Sequence, residues 1–378
     1  MSTLAHVGAS GKLHQDAIDN LQLRYGPLLC QTEDKINILY FLSGGSEAEA
    51  ISKLDKNRFQ LLLASGKSNA FASAMEVKAY SNQNGFHNEL LFLDEEKDRN
   101  RFKKYITAFD ALDQLNGKRL GLIGEVSDWL VASNISSDLL MDKLGIDLIR
   151  ILWDEVGDFK QLSADESFLS CYHAGRQYNI EDAGKVNSML KAVIEDNKLD
   201  AITVECFSLV QEKDVTACLS LSFLNDMGIP AGCEGDLCSI IGMMIAGGII
   251  KEIPWMANIA GIKGNEILFA HCTAPTLVLS EYHINTHFET DKGTAIHGRY
   301  KDTDVTIFRL NNLLNKIFVA HGEVVDGLYK KHACRTQLYV EFSSEVIEEM
   351  KSNPLGNHHL ILPGDVVDDL KIFGNIFL

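Results

Sequence analysis

Short apolar runs and polar glycine turns alternate over the first 115 residues. Residues 36–42 and 59–64 are apolar runs bounded by turn-forming residues, which is typical of buried strands. The second run is followed by a polar turn and by a segment over 72–82 with helical character. This repetition of strand, glycine turn and helix predicts an α/β domain built on a parallel sheet.

The same pattern restarts near Leu115 and predicts a second α/β domain. Strands are expected over 118–124 and 201–204, and a helix over 180–197, where apolar residues recur at helical spacing. The apolar run over 237–250 contains glycines and is too short to cross a bilayer, so it predicts a buried helix.

From about residue 274 onward, the pattern changes to short β-rich runs at close spacing. Such runs predict an antiparallel sheet or barrel, and they lie at 276–280, 293–297, 304–310, 316–321 and 336–342. The predicted fold class is therefore α/β. Two Rossmann-like domains with parallel sheets, over 1–115 and 116–273, precede a C-terminal β-rich, barrel-like domain over 274–378.

Composition excludes several functional classes. A hydrophobic content of 46% and a charged content of 23% are ordinary for a globular protein. A net charge of −17 argues against binding to nucleic acid, which requires a basic surface. The first residues lack the basic segment of a signal peptide, and the eight cysteines, Cys30 among them, form no CxxC pair. We therefore expect a cytoplasmic protein with free thiols and no membrane partner.

Two carboxylates lie between glycines in the segment Gly-Ile-Pro-Ala-Gly-Cys-Glu-Gly-Asp at 228–236. Glycines let the backbone turn sharply, and ligands bind at the carboxyl ends of strands in open α/β sheets. A second polar cluster, Gly-Asn-His-His at 356–359, lies near the other end of the chain. Carboxylates and imidazoles from distant segments are the ligand set of a divalent-metal site. The alternative is an ordinary turn with solvated acids.

The chain resembles the L-fucose isomerase and L-arabinose isomerase superfamily, particularly its short fucose-isomerase-like members. The similar segments follow one another in the family's order, at 36–47, 68–76, 121–130, 233–236 (Cys-Glu-Gly-Asp), 265–275 and 354–359 (Pro-Leu-Gly-Asn-His-His). The resemblance implies interconversion of an aldose and a ketose through a cis-enediol. It also implies a divalent ion as cofactor, usually Mn²⁺, with Mg²⁺ as the alternative.

The resemblance also assigns roles to individual residues. Glu234 becomes a metal ligand and the acid/base, and His358 or His359 becomes the imidazole ligand. Adjacent residues of an extended segment face opposite ways, so only one histidine can point into the site. We favour His359. Glu205 precedes Glu234 at a spacing similar to that of the two metal-binding glutamates of arabinose isomerases.

One position departs from the family's pattern. Asn258 stands where fucose isomerases have a metal-binding aspartate. An amide oxygen can coordinate a hard cation, but it cannot accept a proton as a carboxylate does. The second acid/base would then be Asp236 or Glu205, unless the chemistry differs.

Three further residues are candidates for binding the substrate. His271 could contact a sugar hydroxyl or carbonyl group, or be a strand-end histidine with its hydrogen bonds satisfied. Trp255 could stack on a sugar face or belong to the core. Arg335 could pair with an anionic substrate group or form a salt bridge.

The leading hypothesis is a metal-dependent aldose–ketose isomerase acting on a small sugar. One alternative, motivated by Asn258, is a non-catalytic sugar-binding protein on the same fold. Another is a related enediolate enzyme with epimerase or aldolase-like activity. The resemblance further implies a homo-oligomer, a trimer or a hexamer, in which a predicted polar helix over 15–25 would dock.

Overall fold

The computed structural model describes residues 4–7, Asp19, 36–172 and 177–377. Apart from Asp19, the predicted docking helix over 15–25 lies outside these residues, as does Cys30. The chain divides into two compact units, Met1–Gln114 together with Asp369–Leu378, and Leu115–Asp368.

The first unit contains a parallel sheet of four described strands, in the order β1-β2-β3-β4. Its elements are β1 (Leu4–Val7), β2 (Ile36–Phe41), α1 (Glu47–Ser52), β3 (Phe59–Ala64), a 3₁₀ turn (Lys67–Asn69), α2 (Ala70–Gln83), β4 (Asn88–Phe92) and α3 (Glu96–Asp113). Leu39 and Leu62 of the sheet pack in one apolar cluster with Ala74 and Val77 of α2. The predicted strands and helix of this region are confirmed.

The second unit begins with another parallel sheet of four described strands, in the order β6-β5-β7-β8. Its elements are β5 (Arg119–Ile123), α4 (Ser137–Leu144), β6 (Asp147–Ile151), a 3₁₀ turn (Phe159–Gln161), α5 (Glu166–Cys171), α6 (Ile180–Asn197), β7 (Ala201–Val204), α7 (Phe207–Lys213), α8 (Cys218–Asp226), β8 (Ala231–Cys233) and α9 (Leu237–Ile250). After β6 the chain returns to the other side of β5, so the strand order reverses between β5 and β7. In open α/β sheets, ligands bind at the carboxyl ends of the strands at such a point.

The remainder of the second unit is built around a closed barrel of six described strands, in the order β10-β15-β14-β13-β16-β9. Its elements are β9 (Trp255–Lys263), β10 (Glu266–His271), a 3₁₀ turn (Thr276–Val278), β11 (Leu279–Asn285), β12 (Ala295–Tyr300), β13 (Asp304–Leu310), β14 (Ile317–Val325), β15 (Thr336–Glu341), α10 (Ser344–Ser352) and β16 (His358–Pro363). The last helix, α11 (Val367–Phe377), belongs to the first unit from Asp369 onward. All neighbouring barrel strands pair antiparallel, and β11 pairs with β12 in a separate two-stranded sheet. The expected α/β fold with a C-terminal antiparallel, barrel-like part is confirmed. The barrel already begins at β9, so the boundary at residue 274 stays a proposal.

Helix α9 is apolar along its whole length and contacts both the sheet and the barrel. It contacts β7 and β8 on one side and β13 and β16 on the other. A Cβ at Gly242 would lie 2.6 Å from Cδ1 of Leu360 in β16, so the absence of a side chain allows this close approach. The prediction of a buried helix over 237–250 is confirmed. No helix among the described residues is long and apolar enough to span a bilayer.

Candidate active site

The carboxyl ends of three parallel strands bring chemically active residues to one edge of the second sheet. Glu205 follows β7, Glu234 follows β8, and the loop over 124–136 follows β5. Two histidines of the barrel strands lie beside Glu234: His271 ends β10 and His358 begins β16. This edge includes the point where the strand order reverses.

Glu234 lies in a tight turn between β8 and α9. Its φ of 60° is in the left-handed region, which non-glycine residues adopt rarely and at an energetic cost. The backbone N–H of Ser127, in the loop after β5, donates to the carbonyl oxygen of Glu234 at 3.1 Å. Asp236 ends the turn as the N-cap of α9 and accepts from the Ser239 N–H at 2.7 Å. These contacts fix the backbone of the turn that carries Glu234.

Gly235 makes this turn sensitive to any added side chain. Its φ is 67°, and a Cβ there would lie 2.4 Å from the Glu125 carbonyl oxygen. We expect Gly235→Ala to lower the free energy of unfolding by about 1–3 kcal/mol more than Gly264→Ala, because only Gly235 faces a backbone clash. Gly264 is a matched control, with a φ of 61° and no atom within 4 Å of the added Cβ. Equal losses in urea denaturation would contradict the close approach of the two loops.

Three side chains converge on one small volume. Glu234 Oε1 lies 3.7 Å from His358 Nε2 and 3.9 Å from His271 Nε2. These three potential ligand atoms all lie within 4.8 Å of one another. The other carboxylate oxygen, Oε2, accepts a hydrogen bond from the indole N–H of Trp129 at 2.7 Å. The two oxygens of Glu234 therefore have different surroundings.

Each imidazole is oriented by a hydrogen bond at Nδ1. His358 Nδ1 lies 2.9 Å from Asp236 Oδ2, and His271 Nδ1 lies 2.8 Å from Thr273 Oγ1. Because Nδ1 is engaged in both rings, Nε2 faces Glu234 in both. A carboxylate or hydroxyl group behind a histidine is the arrangement that fixes metal-binding imidazoles in proteins.

The electrostatics of the cluster depend on burial and on the proximity of its charges. Burial opposes the ionisation of Glu234, but His358, His271 and Trp129 outweigh it and lower the pKa of Glu234 to about 2. Burial also opposes the charge on His358, but Asp236 and Glu234 raise its pKa to about 9. For His271, burial and the neighbouring His358 lower the pKa to about 3. Burial also opposes the ionisation of Asp236, but His358 and Arg309 lower its pKa. At neutral pH these shifts leave Glu234 and Asp236 ionised, His271 neutral and His358 protonated, and a metal ion bound to His358 would displace its proton.

The cluster fits a divalent metal ion. His358 Nε2 is buried and makes no hydrogen bond among the described residues, although it points at Glu234. One carboxylate oxygen and two imidazole nitrogens suit Mn²⁺ and several other divalent ions. Glu234, His271 and His358 are therefore the residues that could hold the cofactor.

The geometry favours His358 over His359 and so replaces the initial preference for His359. The His359 ring points into the barrel, where it contacts Phe269 and Phe318, with ring centroids 6.3 and 5.7 Å apart. Its Nδ1 lies 2.9 Å from the carbonyl oxygen of Asn357. The two histidines face opposite ways, as expected for neighbours in a strand.

The Glu205 carboxylate is occupied by hydrogen bonds that stabilise the fold. Its carboxylate accepts from the N–H groups of Phe207 and Ser208 and so caps helix α7. It also accepts from the Ser208 hydroxyl at 2.5 Å and from the Trp153 indole N–H at 3.1 Å. Asp236 is likewise committed to the α9 N-terminus and to His358. Neither is oriented as a free second acid/base.

The remaining predicted residues lie in structural contacts. Asn258 pairs with His358 across β9 and β16, and its amide oxygen accepts from the amide of Asn357. Trp255 is fully buried in the barrel core, as one of the two initial interpretations had it. Arg335 donates to the carbonyl oxygen of Thr286 at 2.8 Å and pairs with Asp291, which is the salt-bridge alternative.

Sequence reasoning missed two residues of the site. Trp129 lies within the 121–130 segment, and its position shortly after a strand and glycine turn was the available signal. Arg309 is a charged residue inside the apolar strand β13. It is fully buried, lies 3.5 Å from Asp236 Oδ2 and donates to the carbonyl oxygen of His358. A charge in an apolar strand needs a buried partner, and this is how Arg309 could have been found.

Comparison with known proteins adds an independent line of evidence. No family model matches the chain. The sulfoquinovose isomerase of Alkalicoccus urumqiensis is 20% identical over 304 residues, which cover 75% of this chain and 69% of that protein. The sulfoquinovose isomerases of Priestia aryabhattai and Priestia megaterium are each 22% identical over 308 residues, covering 75% of this chain and 68% of theirs. These similarities agree with the order of motifs in the sequence and support a distant relationship of the chain to the fucose- and arabinose-isomerase-like superfamily of sugar isomerases.

Proposed function

We propose that the protein is a metal-dependent aldose–ketose isomerase that acts on a small sugar through a cis-enediol. The observation that carries the proposal is the convergence of Glu234 Oε1 with the Nε2 atoms of His271 and His358 within 4.8 Å. The position of this cluster, where the strand order of the second sheet reverses, supports it. We further propose that the protein acts in the cytoplasm as a homo-oligomer, a trimer or a hexamer.

The reaction moves a proton between adjacent carbons, which requires a base that takes the proton and returns it. We assign this role to Glu234, because its carboxylate is ionised and lies in the cluster. Oε1 faces the two imidazoles, whereas Oε2 lies beside the exposed Trp129. Oε2 is therefore the atom to which we assign proton transfer. A bound Mn²⁺ would polarise the carbonyl and neighbouring hydroxyl oxygens of the sugar.

Asp236 and Thr273 act through the histidines in this proposal. By engaging Nδ1 of His358 and His271, they keep both Nε2 atoms directed at the cluster. His287 and Glu289 lie within electrostatic reach of Glu234. Burial, together with the charge of Glu234, raises the pKa of Glu289. We therefore propose Glu289, rather than Asp236 or Glu205, as the second acid/base.

The named activity of the relatives makes sulfoquinovose the first substrate to test. The protein would be incubated with Mn²⁺ in D₂O, with sulfoquinovose and with neutral aldohexoses and ketohexoses. We expect conversion between aldose and ketose, with deuterium entering at C1 or C2, and we expect EDTA to abolish both. The absence of isomerisation and of exchange for every sugar would overturn the proposal.

The same experiment distinguishes the alternatives. Sugar binding that is independent of metal, without any exchange, would favour a non-catalytic sugar-binding protein. Products with a different carbon number would indicate an aldolase-like reaction. Inversion at a stereocentre without movement of the carbonyl group would indicate an epimerase.

A further inference from the structure

Trp129 combines a hydrogen bond to a largely buried carboxylate with an exposed ring. Its indole N–H donates to Glu234 Oε2 at 2.7 Å, and Glu234 itself is largely buried. Yet 54% of Trp129 is exposed to solvent. Trp255, by contrast, is fully buried, and Trp153 is partly buried with its N–H on Glu205. Among the three tryptophans, Trp129 presents its ring to solvent beside the cluster.

The Trp129 ring is held in place. The loop that carries it is bonded to the Glu234 turn on both sides: Ser127 N–H donates to the Glu234 carbonyl oxygen, and the Ser133 carbonyl oxygen accepts from Leu237 N–H and Cys238 N–H. The ring also meets Phe207 edge to face, with centroids 4.9 Å apart and an interplanar angle of 77°. A fixed aromatic ring provides contact area without losing conformational entropy on binding.

We propose that Trp129 is the sugar-binding platform of this site. The exposed indole face would pack against the apolar C–H face of a carbohydrate, and its N–H end ties that face to Glu234 Oε2. A sugar seated there has its reacting carbons beside the oxygen that moves the proton. The position of the reacting carbons beside Glu234 rests on the proposed function. Binding of a sugar at Trp129 does not require turnover and can be measured without it.

The test measures tryptophan fluorescence during titration with sulfoquinovose and with glucose, with and without Mn²⁺. The wild type is compared with Trp129→Phe and with the control Trp153→Phe, which also removes an indole that donates to a carboxylate. We expect a saturable change in the wild type and in Trp153→Phe, and its loss in Trp129→Phe. No change in the wild type, or the same change in Trp129→Phe, would overturn the platform.

Kinetics separate this inference from the proposed reaction. Trp129→Leu removes both the ring face and the N–H, and its KM should rise about tenfold, which corresponds to about 1.4 kcal/mol. Trp129→Phe keeps an aromatic face and should change KM less than Trp129→Leu. If the wild type isomerises sugars and Trp129→Leu has an unchanged KM, the platform fails and the proposed function stands. If isomerisation is absent but the Trp129-dependent fluorescence change is observed, the result supports sugar binding at Trp129 and contradicts the proposed reaction.

Discussion

Replacing Glu234 with glutamine is expected to lower turnover by about 10²–10⁴-fold, which is the usual contribution of a positioned acid/base. Glutamine has nearly the same shape and keeps an oxygen that can face His271 and His358. It removes the negative charge and the ability to take a proton. The folded structure should persist, because the backbone of this turn is fixed by bonds that do not involve the side chain. The measurement pairs kcat with the melting temperature of the same variant.

Glu205→Gln is the matched control for this prediction. It changes the same chemical group at the end of the neighbouring strand, where the carboxylate caps α7. We expect a loss of stability of about 0.5–2 kcal/mol, typical of a weakened N-cap, with turnover nearly unchanged. A stable Glu234→Gln variant with near-wild-type turnover would remove Glu234 from the mechanism. A large loss of turnover in Glu205→Gln would instead restore Glu205 as a second acid/base.

Arg309→Met is expected to destabilise the protein by about 3–5 kcal/mol, because it breaks a fully buried ion pair and leaves His358 as the remaining cationic group beside the Asp236 carboxylate. Both side chains are almost completely buried, and Arg309 Nη1 lies 3.5 Å from Asp236 Oδ2. Arg309 also donates to Ser133 Oγ at 2.8 Å and to the carbonyl oxygen of His358. The loss should appear as a lower urea midpoint at unchanged slope.

Arg150→Met provides the comparison at the surface. Arg150 pairs with Glu125 at 3.2 Å, and both side chains are substantially exposed. Exposed pairs contribute about 0–1 kcal/mol, so this variant should unfold nearly as the wild type does. Equal losses in the free energy of unfolding for the two arginine variants would contradict a stabilising role of the buried ion pair between Arg309 and Asp236.

Much of the fold could be predicted, because its elements have local signatures. The helix at Ile180–Asn197 has apolar residues at helical spacing, and β2, β3 and β5 are short apolar runs next to glycine turns. The domain boundary that the sequence predicts at residue 274 leaves the hairpin of β9 and β10 in the second α/β domain. Its strands directly follow α9 and resemble others in the chain, and only pairing with β15 and β16 places them in the barrel.

The site was only partly predictable for the same reason. Glu234 lies in a glycine turn that is visible in the sequence, but which of His358 and His359 faces it depends on the register of β16 with β9 and β13. A shift of one residue would exchange the two rings. The hydrogen bond from Trp129 to Glu234 joins residues far apart in sequence, so no local pattern could reveal it.

Helix α9 has a consequence for recombination between related proteins. It begins at the turn that carries Glu234 and packs on β13 and β16, and its N-cap Asp236 holds His358. The sheet and the barrel are therefore not exchangeable modules, even though one is parallel and the other antiparallel. A chimera joined between α9 and β9 would pair one parent's Gly242 with the other parent's residue at position 360. Crossovers that transfer residues 115–368 as a block would keep the helix with both of its packing partners.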